Sequence, residues 1–551
     1  MKIARRTLLA LSGSAVLFGG MRFTSVPAPR DVDLVVYGGT SAGIAAAVQM
    51  RRMGGTVVVL EPSRFLGGLT TSGLGFTDIG ANSSISGIAR EFYRRVDSRQ
   101  TGVRFAPGSP ARFAFKPGVA AAVMAELVRE AGVPVVFDAR LVAVGKAGNR
   151  LTSVMLEDGT VYQGRMFIDA TYEGDLMARA GVSFTVGREG NERYGELHNG
   201  VQHRWKHQFN VRVDPYVTEG SPGSGLLPGI SREPLAPDGT PDDRVQAFCY
   251  RMCLTQAKNR IPFTRPDRYE PIRYELLLRY IRAGWPGPFF TTHFVGDGKT
   301  DSNNYGAFST DGIGLNYAYP AGSWGRRESI ADEQRAYQQG LLWFLSTDRR
   351  VPPDIRSYVR SWGLPSDEFR STDGWPPLLY VREGRRMVAD YVMTEHDCSG
   401  QARASDSVAL ASYTMDSHNC QRVVIDGAVR NEGDVQVRVR EPYPISYRSI
   451  VPREKECENL LVPVAVSASH IAYGSIRMEP VFMMLAQSAA TAARQAMDTG
   501  VAVQRLPIAP LQRRLRKDGL MLEWLPPAAS LGQPVQRDDP HGGAVLRRKA
   551  V

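Results

Sequence analysis

The run Val32-Asp33-Leu34-Val35-Val36 leads into Tyr37-Gly38-Gly39-Thr40-Ser41-Ala42-Gly43, and an acid, Glu61, follows further on. Residues of these types in this order bind a dinucleotide. Glycine takes backbone conformations closed to other residues, so Gly38 suits a tight turn and Gly43 lets the next helix lie close against a sheet. Free N–H groups at that helix start, on Ser41 and Ala42, attract a diphosphate. Glu61 is placed to accept from adenosine ribose hydroxyls, and a carboxylate there disfavours a 2′-phosphate. Thr40 stands where the usual pattern has its middle glycine; Gly39 still permits close approach, and the Thr40 hydroxyl is available to meet phosphate. Such a start serves NAD and FAD alike.

The elements that must position these residues are legible nearby. The branched, nearly continuous apolar run before Gly38 fits a parallel strand covered on both faces, and Val57 to Leu60 fits a second. Phe65 to Gly75 is too rich in glycine for a stable helix and too apolar for a solvated linker, so its backbone N–H groups are expected against the ligand, with Gly67, Gly68, Leu69 and Thr70 as candidate contacts. Helices are expected over 85–96 and 117–130, then a strand at Val135-Val136-Phe137. Segments 140–144, 151–156 and 160–168 read as an antiparallel meander that delivers Asp169-Ala170-Thr171-Tyr172-Glu173-Gly174-Asp175 at a strand end, where open sheets hold their ligands. Asp169 and Glu173 are expected to shape the ligand loop, and Asp175 to cap a short helix. Helices are also expected over 332–345 and 384–393. Late in the chain a returning strand at 458–464 is followed by a long helix over 481–497, introduced by Glu479-Pro480.

At 551 residues the chain exceeds one typical core. Its 43% hydrophobic and 22% charged content describes a folded protein. The net charge of +11 comes from arginines scattered among acids, so a dedicated nucleic-acid surface is not expected. The five cysteines lack metal-site spacing; Cys249 and Cys253 would share a helix face, one disulfide is open, and isolated apolar thiols are the favoured reading. No metal site is expected. Arg5-Arg6 before a short apolar run and a small, Pro-containing stretch resembles a twin-arginine export leader, which points to a periplasmic or secreted protein; no later segment reads as membrane-spanning.

Taken together, the chain resembles the FAD-dependent oxidoreductases often found annotated near xanthan-degradation proteins, a branch of the glutathione-reductase-like flavoproteins. The likeness rests on residues 37–43, on Gly67 to Asp78, on Ile168 to Met177, on Asp416-Ser417-His418, and on Leu460 to Met483 with Ser467 to Pro480. It spans roughly residues 30 to 520. It implies an α/β fold, with a Rossmann-like FAD-binding domain of the glutathione-reductase type, an inserted α+β substrate domain and non-covalent FAD. The expected division is a leader over 1–29, FAD-binding parts over 30–185 and 431–525, a substrate domain over 186–430 and a flexible tail over 526–551.

With a flavin, the protein has to position a donor carbon and manage a proton. Histidine suits the proton role near neutral pH. His470, in a small-residue segment before the last long helix, and His418, following Asp416, are the candidates. Arg477 and Glu479 are expected as an ion pair beside the ring, or Arg477 alone as a charge for an anionic substrate or the reduced flavin, with a buried supporting pair away from the substrate as the alternative; the helix start at Pro480 can direct N–H groups at the flavin. Aromatics across the middle of the chain, including Trp205, Trp375 and Tyr380, are candidate platforms for sugar rings. The leading expectation is oxidation of a small organic substrate, with a redox-neutral lyase or epimerase and a non-catalytic carbohydrate-binding protein as alternatives. Electron acceptor and oligomeric state stay unassigned.

Overall fold

A computed structural model describes residues 30–104 and 110–525, with the backbone of 17–18 and 21–22. The Arg5-Arg6 leader motif and the tail over 526–551 lie outside the described residues.

The architecture is α/β around a sheet whose parallel part is β1 (Asp31–Tyr37), β2 (Val57–Leu60), β3 (Val135–Val136) and β6 (Val161–Asp169). The spatial order runs β3, β2, β1, β6, all four parallel. Alternate residues of β1 enter different cores: Leu34 and Val36 join the larger cluster, Val35 and Tyr37 the smaller. Both faces are thus covered, which accounts for the unbroken apolar run in sequence. Burying one such aliphatic side chain is worth about 1.5–3 kcal/mol.

The meander is present as β4 (Leu141–Ala147), β5 (Arg150–Leu156) and β6, paired antiparallel in that order. β6 divides its outer edge. Its first half pairs with β5, and its second half, at Phe167 and Ile168, pairs in parallel with the returning strand Leu460–Leu461. The returning strand is shorter than the expected 458–464 because Val462 N–H turns to the Ile450 carbonyl instead.

Helix α1 (Ser41–Arg52) carries Arg51 and Arg52 in its last turn, where cations offset the helix dipole. Helices α2 (Gly87–Thr101) and α3 (Pro117–Ala131) follow, α3 opened by Pro117 and closed by Gly132 in the left-handed region. Near the chain's end α4 (His470–Ile476) leads into α5 (Glu479–Thr499), which starts on Pro480, stops at Gly500 and packs along α1. No helix of the described residues is long and apolar enough to cross a membrane.

Four local expectations are corrected. Residues 384–393 hold no helix: Arg386–Met387 is a short strand paired with Phe184–Thr185. Buried Arg386 reaches Glu189 at 2.7 Å and the Ala468 carbonyl at 2.8 Å, and these tertiary partners hold the backbone extended. Cys253 lies in the strand Met252–Thr255, not on a helix, and all five cysteines are buried and unbonded. Asp175 does not cap its helix. Gly174 occupies the cap, while the Asp175 carboxylate bridges Arg327 at 2.6 Å and Arg385 at 2.8 Å. The helix expected over 332–345 is longer, Trp324–Thr347, because the Ser323 hydroxyl accepts from Arg326 N–H and caps it a turn and more earlier.

Candidate functional site

The glycine turn is closed by contacts no larger residue permits. Gly38 has φ +101°, and a Cβ on Gly43 would stand 1.9 Å from the Gly38 carbonyl oxygen. Gly43→Ala therefore has to push α1 off the sheet. We expect Gly43→Ala protein to be isolated colourless, with FAD affinity of the apoprotein lowered at least about tenfold; FAD fluorescence quenching reads this, and a normal stoichiometric titration would sink it.

Thr40 caps α1: its hydroxyl accepts from Gly43 N–H at 3.2 Å and donates to the Ala170 carbonyl at 2.8 Å. That hydroxyl is committed to local structure, contrary to the expectation that it meets phosphate. The N–H groups of Ser41 and Ala42, the first two residues of α1, have no intrahelical acceptor, and both residues are buried. A second glycine loop lies against the first. Gly67 N–H donates to the Gly39 carbonyl at 2.7 Å, and Thr40 and Gly67 form a parallel bridge. Glu61, at the end of β2, accepts from Gly39 N–H at 2.6 Å and Ser63 N–H at 2.7 Å, and burial pushes its pKa up to about 7. Buried, unpaired N–H groups at a helix start, flanked by glycine backbone and a strand-end acid, suit the diphosphate and ribose of FAD.

Glu479 ties these segments together. One carboxylate oxygen accepts from the Ser41 hydroxyl at 2.5 Å and the Thr70 hydroxyl at 2.7 Å; the other accepts from Tyr172 at 2.7 Å. The Tyr172 oxygen in turn accepts from Leu69 N–H at 2.9 Å. Burial raises the Glu479 pKa, and the three hydroxyl donors oppose that. Asp169 has both oxygens engaged within its own loop, by Thr171 and by Met177 N–H at 2.8 Å. These acids hold backbone in place.

The expected pairing of Arg477 with Glu479 is not formed. Arg477 points to Asp416, 2.7 Å away, and to the Tyr380 hydroxyl at 3.2 Å. It belongs to a buried cluster that sequence order does not reveal. Asp416 Oδ2 lies 3.5 Å from His418 Nε2, His418 Nδ1 lies 2.8 Å from Asp311, and Asp311 lies 3.0 Å from Arg382. Arg251 is paired with Asp301, and its guanidinium stacks over the Tyr380 ring, as Arg382 does on its own account. Burial and Arg382 oppose charge on His418, yet Asp311 and Asp416 outweigh them and its pKa is raised. Burial would raise Asp416, but His418 and Arg477 hold it well below the usual carboxylate range.

Asp78 completes the cluster. It is half-buried, faces Arg251, Arg477, Asp416 and Asp301, and has no hydrogen-bond partner among the described residues. Burial, opposed by Arg251 and Arg477, pushes its pKa up to about 6. The signal in sequence was an acid closing the glycine-rich segment, at Phe76-Thr77-Asp78. Two segments of the candidate nucleotide site thus run straight into the cluster: the loop of Gly67 to Thr70 continues to Asp78, and α5 is preceded by Arg477.

His470 sits apart from His418. Its Nδ1 lies 2.8 Å from Glu383 and its Nε2 lies 2.9 Å from the Ser417 hydroxyl. Both ring nitrogens of both histidines are therefore occupied by protein groups. The strand Met415–Ser417 separates them, Asp416 and Ser417 pointing to opposite faces as strand neighbours do. Of the candidate aromatic platforms, Trp205 is 82% exposed, Trp375 is buried in the core and Tyr380 lies in the charged cluster. Among the described residues no group of three His, Cys, Asp or Glu is placed to hold a metal ion.

Comparison with known proteins gives one extended match. A family model described as FAD dependent oxidoreductase covers residues 33–515. No curated protein matches the sequence. Solved structures match in part. A flavin-containing monooxygenase from Stenotrophomonas maltophilia is 24% identical over 30% of this chain and 43% of its own, with a TM-score of 0.20. An L-amino acid deaminase from Proteus vulgaris is 15% identical over 29% and 52%, with a TM-score of 0.23. A thioredoxin reductase from T. acidophilum is 17% identical over 26% and 35%, with a TM-score of 0.17. The chain spans less than half the length of the monooxygenase it matches.

Proposed function

The chain belongs to the FAD dependent oxidoreductase family, and from that premise we propose that it oxidises a carbon bearing oxygen or nitrogen in a small organic molecule, a sugar derivative being the leading candidate. The observation that carries this reading is Asp78: an acid free of hydrogen-bond partners, poised near neutral pH, where the two cofactor-site segments meet. When bound, FAD supplies the acceptor for the two electrons that leave the substrate. The residues of the chain do the rest. Asp78 takes the proton from the substrate oxygen or nitrogen, since a base is most effective with its pKa near the working pH. Arg251, over the Tyr380 ring, and Arg477, at the Tyr380 hydroxyl, orient the same substrate atom. His418 holds Asp416 and Asp311 in place as a strut between them, its Nδ1 against Asp311 and its Nε2 against Asp416. His470 acts from the other face of the strand, through Ser417, and fixes the register of Asp416.

The test is an anaerobic screen of alcohols, amines and sugars against the FAD-loaded protein, read by flavin absorbance. Bleaching by at least one substrate class is expected; full cofactor occupancy with no bleaching by any class would end this reading. We further propose that the reaction takes place outside the cytoplasm, supported by Arg5-Arg6 and the apolar run that follows. Cell fractionation of the wild type and of an Arg5→Lys, Arg6→Lys variant tests the location, and equal export of both would refute twin-arginine transport.

A further inference from the structure

We propose that the Asp78 site admits an uncharged, hydroxyl-bearing group and turns carboxylates away, because its three guanidiniums are already neutralised from within. The inference rests on the oxidoreductase reading of the same site and deepens it. Each arginine has its own aspartate: Arg477 with Asp416 at 2.7 Å, Arg382 with Asp311 at 3.0 Å, and Arg251 with Asp301. All six side chains are buried, so these pairs are screened little by salt. Burial would raise Asp416 and Asp311, but the facing cations hold both below the usual range, so those two aspartates stay ionised at ordinary pH. His418 joins Asp311 to Asp416 and is held by both. No guanidinium of the cluster is left over for a ligand, and one acid, Asp78, is left without a hydrogen-bond partner among the described residues.

A substrate carboxylate would enter facing Asp78, with Asp416 and Asp301 behind it, and would lose its hydration without gaining a counter-ion. An ammonium would suit Asp78 but offers no acceptor. Acceptors are what the site lacks: Arg251 Nη1 and Arg477 Nε are buried and without a hydrogen-bond partner among the described residues. A hydroxyl satisfies both needs at once, donating to Asp78 and accepting from a guanidinium N–H. The charge pattern therefore selects a neutral alcohol over a hydroxy acid or an amino acid of similar size.

The test reads binding, not turnover. The FAD-loaded full-length protein is titrated with acetate and with benzoate, a small and a large carboxylate, and followed by perturbation of the flavin spectrum. Wild type is expected to bind both weakly. Asp416→Asn, which frees Arg477, and Asp301→Asn, which frees Arg251, are each expected to tighten binding of at least one probe tenfold or more. Thermal melts identify a variant that fails to fold, leaving the other to decide. Wild-type binding as tight as that of the folded variants overturns the proposal, and so does the absence of any gain in a folded variant. Failure of the oxidoreductase reading shows elsewhere, as flavin that no compound in the screen reduces.

Discussion

Replacing Asp78 with asparagine is expected to slow flavin reduction by substrate about 10²–10⁴-fold, the usual contribution of a positioned general base, while FAD stays bound. Asparagine keeps the shape and loses the proton acceptor. The pH dependence follows from the same group. Burial raises the Asp78 pKa to about 6, so the carboxyl is protonated and inactive below that value and ionised above it. In the wild type, the anaerobic reduction rate should climb as pH rises through about 6 and level off above it. In the asparagine variant that limb should vanish. Stopped-flow reduction at several pH values decides the matter; an unchanged limb in the variant would move the proton role to another residue.

The second large effect is expected at Glu479. Glu479→Ala leaves three buried hydroxyls, on Ser41, Thr70 and Tyr172, without their common acceptor. Each buried group left unsatisfied costs about 1–3 kcal/mol, so the loss is on the order of several kcal/mol. The lost contacts join α1, the second glycine loop, the loop after β6 and α5, so cofactor retention should fall with stability. Glu479→Gln keeps one acceptor oxygen and should be intermediate. Calorimetry together with flavin content after gel filtration measures both effects. An alanine variant with wild-type melting and full yellow colour would show that the hydroxyls find other partners at no cost.

How much of this could be read from sequence depended on distance along the chain. The strand, turn and helix from Val32 to Met50 were legible because glycine chemistry, capping and alternation act within a few residues. The antiparallel meander was legible for the same reason, its turns marked by glycine and asparagine. The residues gathered on Glu479 lie 307 to 438 positions away from it, and no local pattern records such a meeting. Arg477 and Glu479 stood two apart and invited a pairing, but the helix start between them sends one into the charged cluster and the other into the nucleotide loops. Asp78 was visible as the end of a motif, though its role needed Arg251 and Asp301, which come from a stretch whose irregular loops give no guide to position. The helix expected over 384–393 failed because Arg386 is fixed by backbone carbonyls of distant segments, a tertiary demand that overrides local preference.

The divided edge of β6 bears on how the molecule is made. Half of that edge is satisfied as soon as the meander emerges from the ribosome, but Phe167 and Ile168 wait for Leu460 and Leu461. During synthesis of the intervening residues the nascent nucleotide fold carries an open strand edge, which is a template for wrong pairing. Glu479, the carboxylate that ties the two glycine loops together, follows that returning strand in the chain and is made later still.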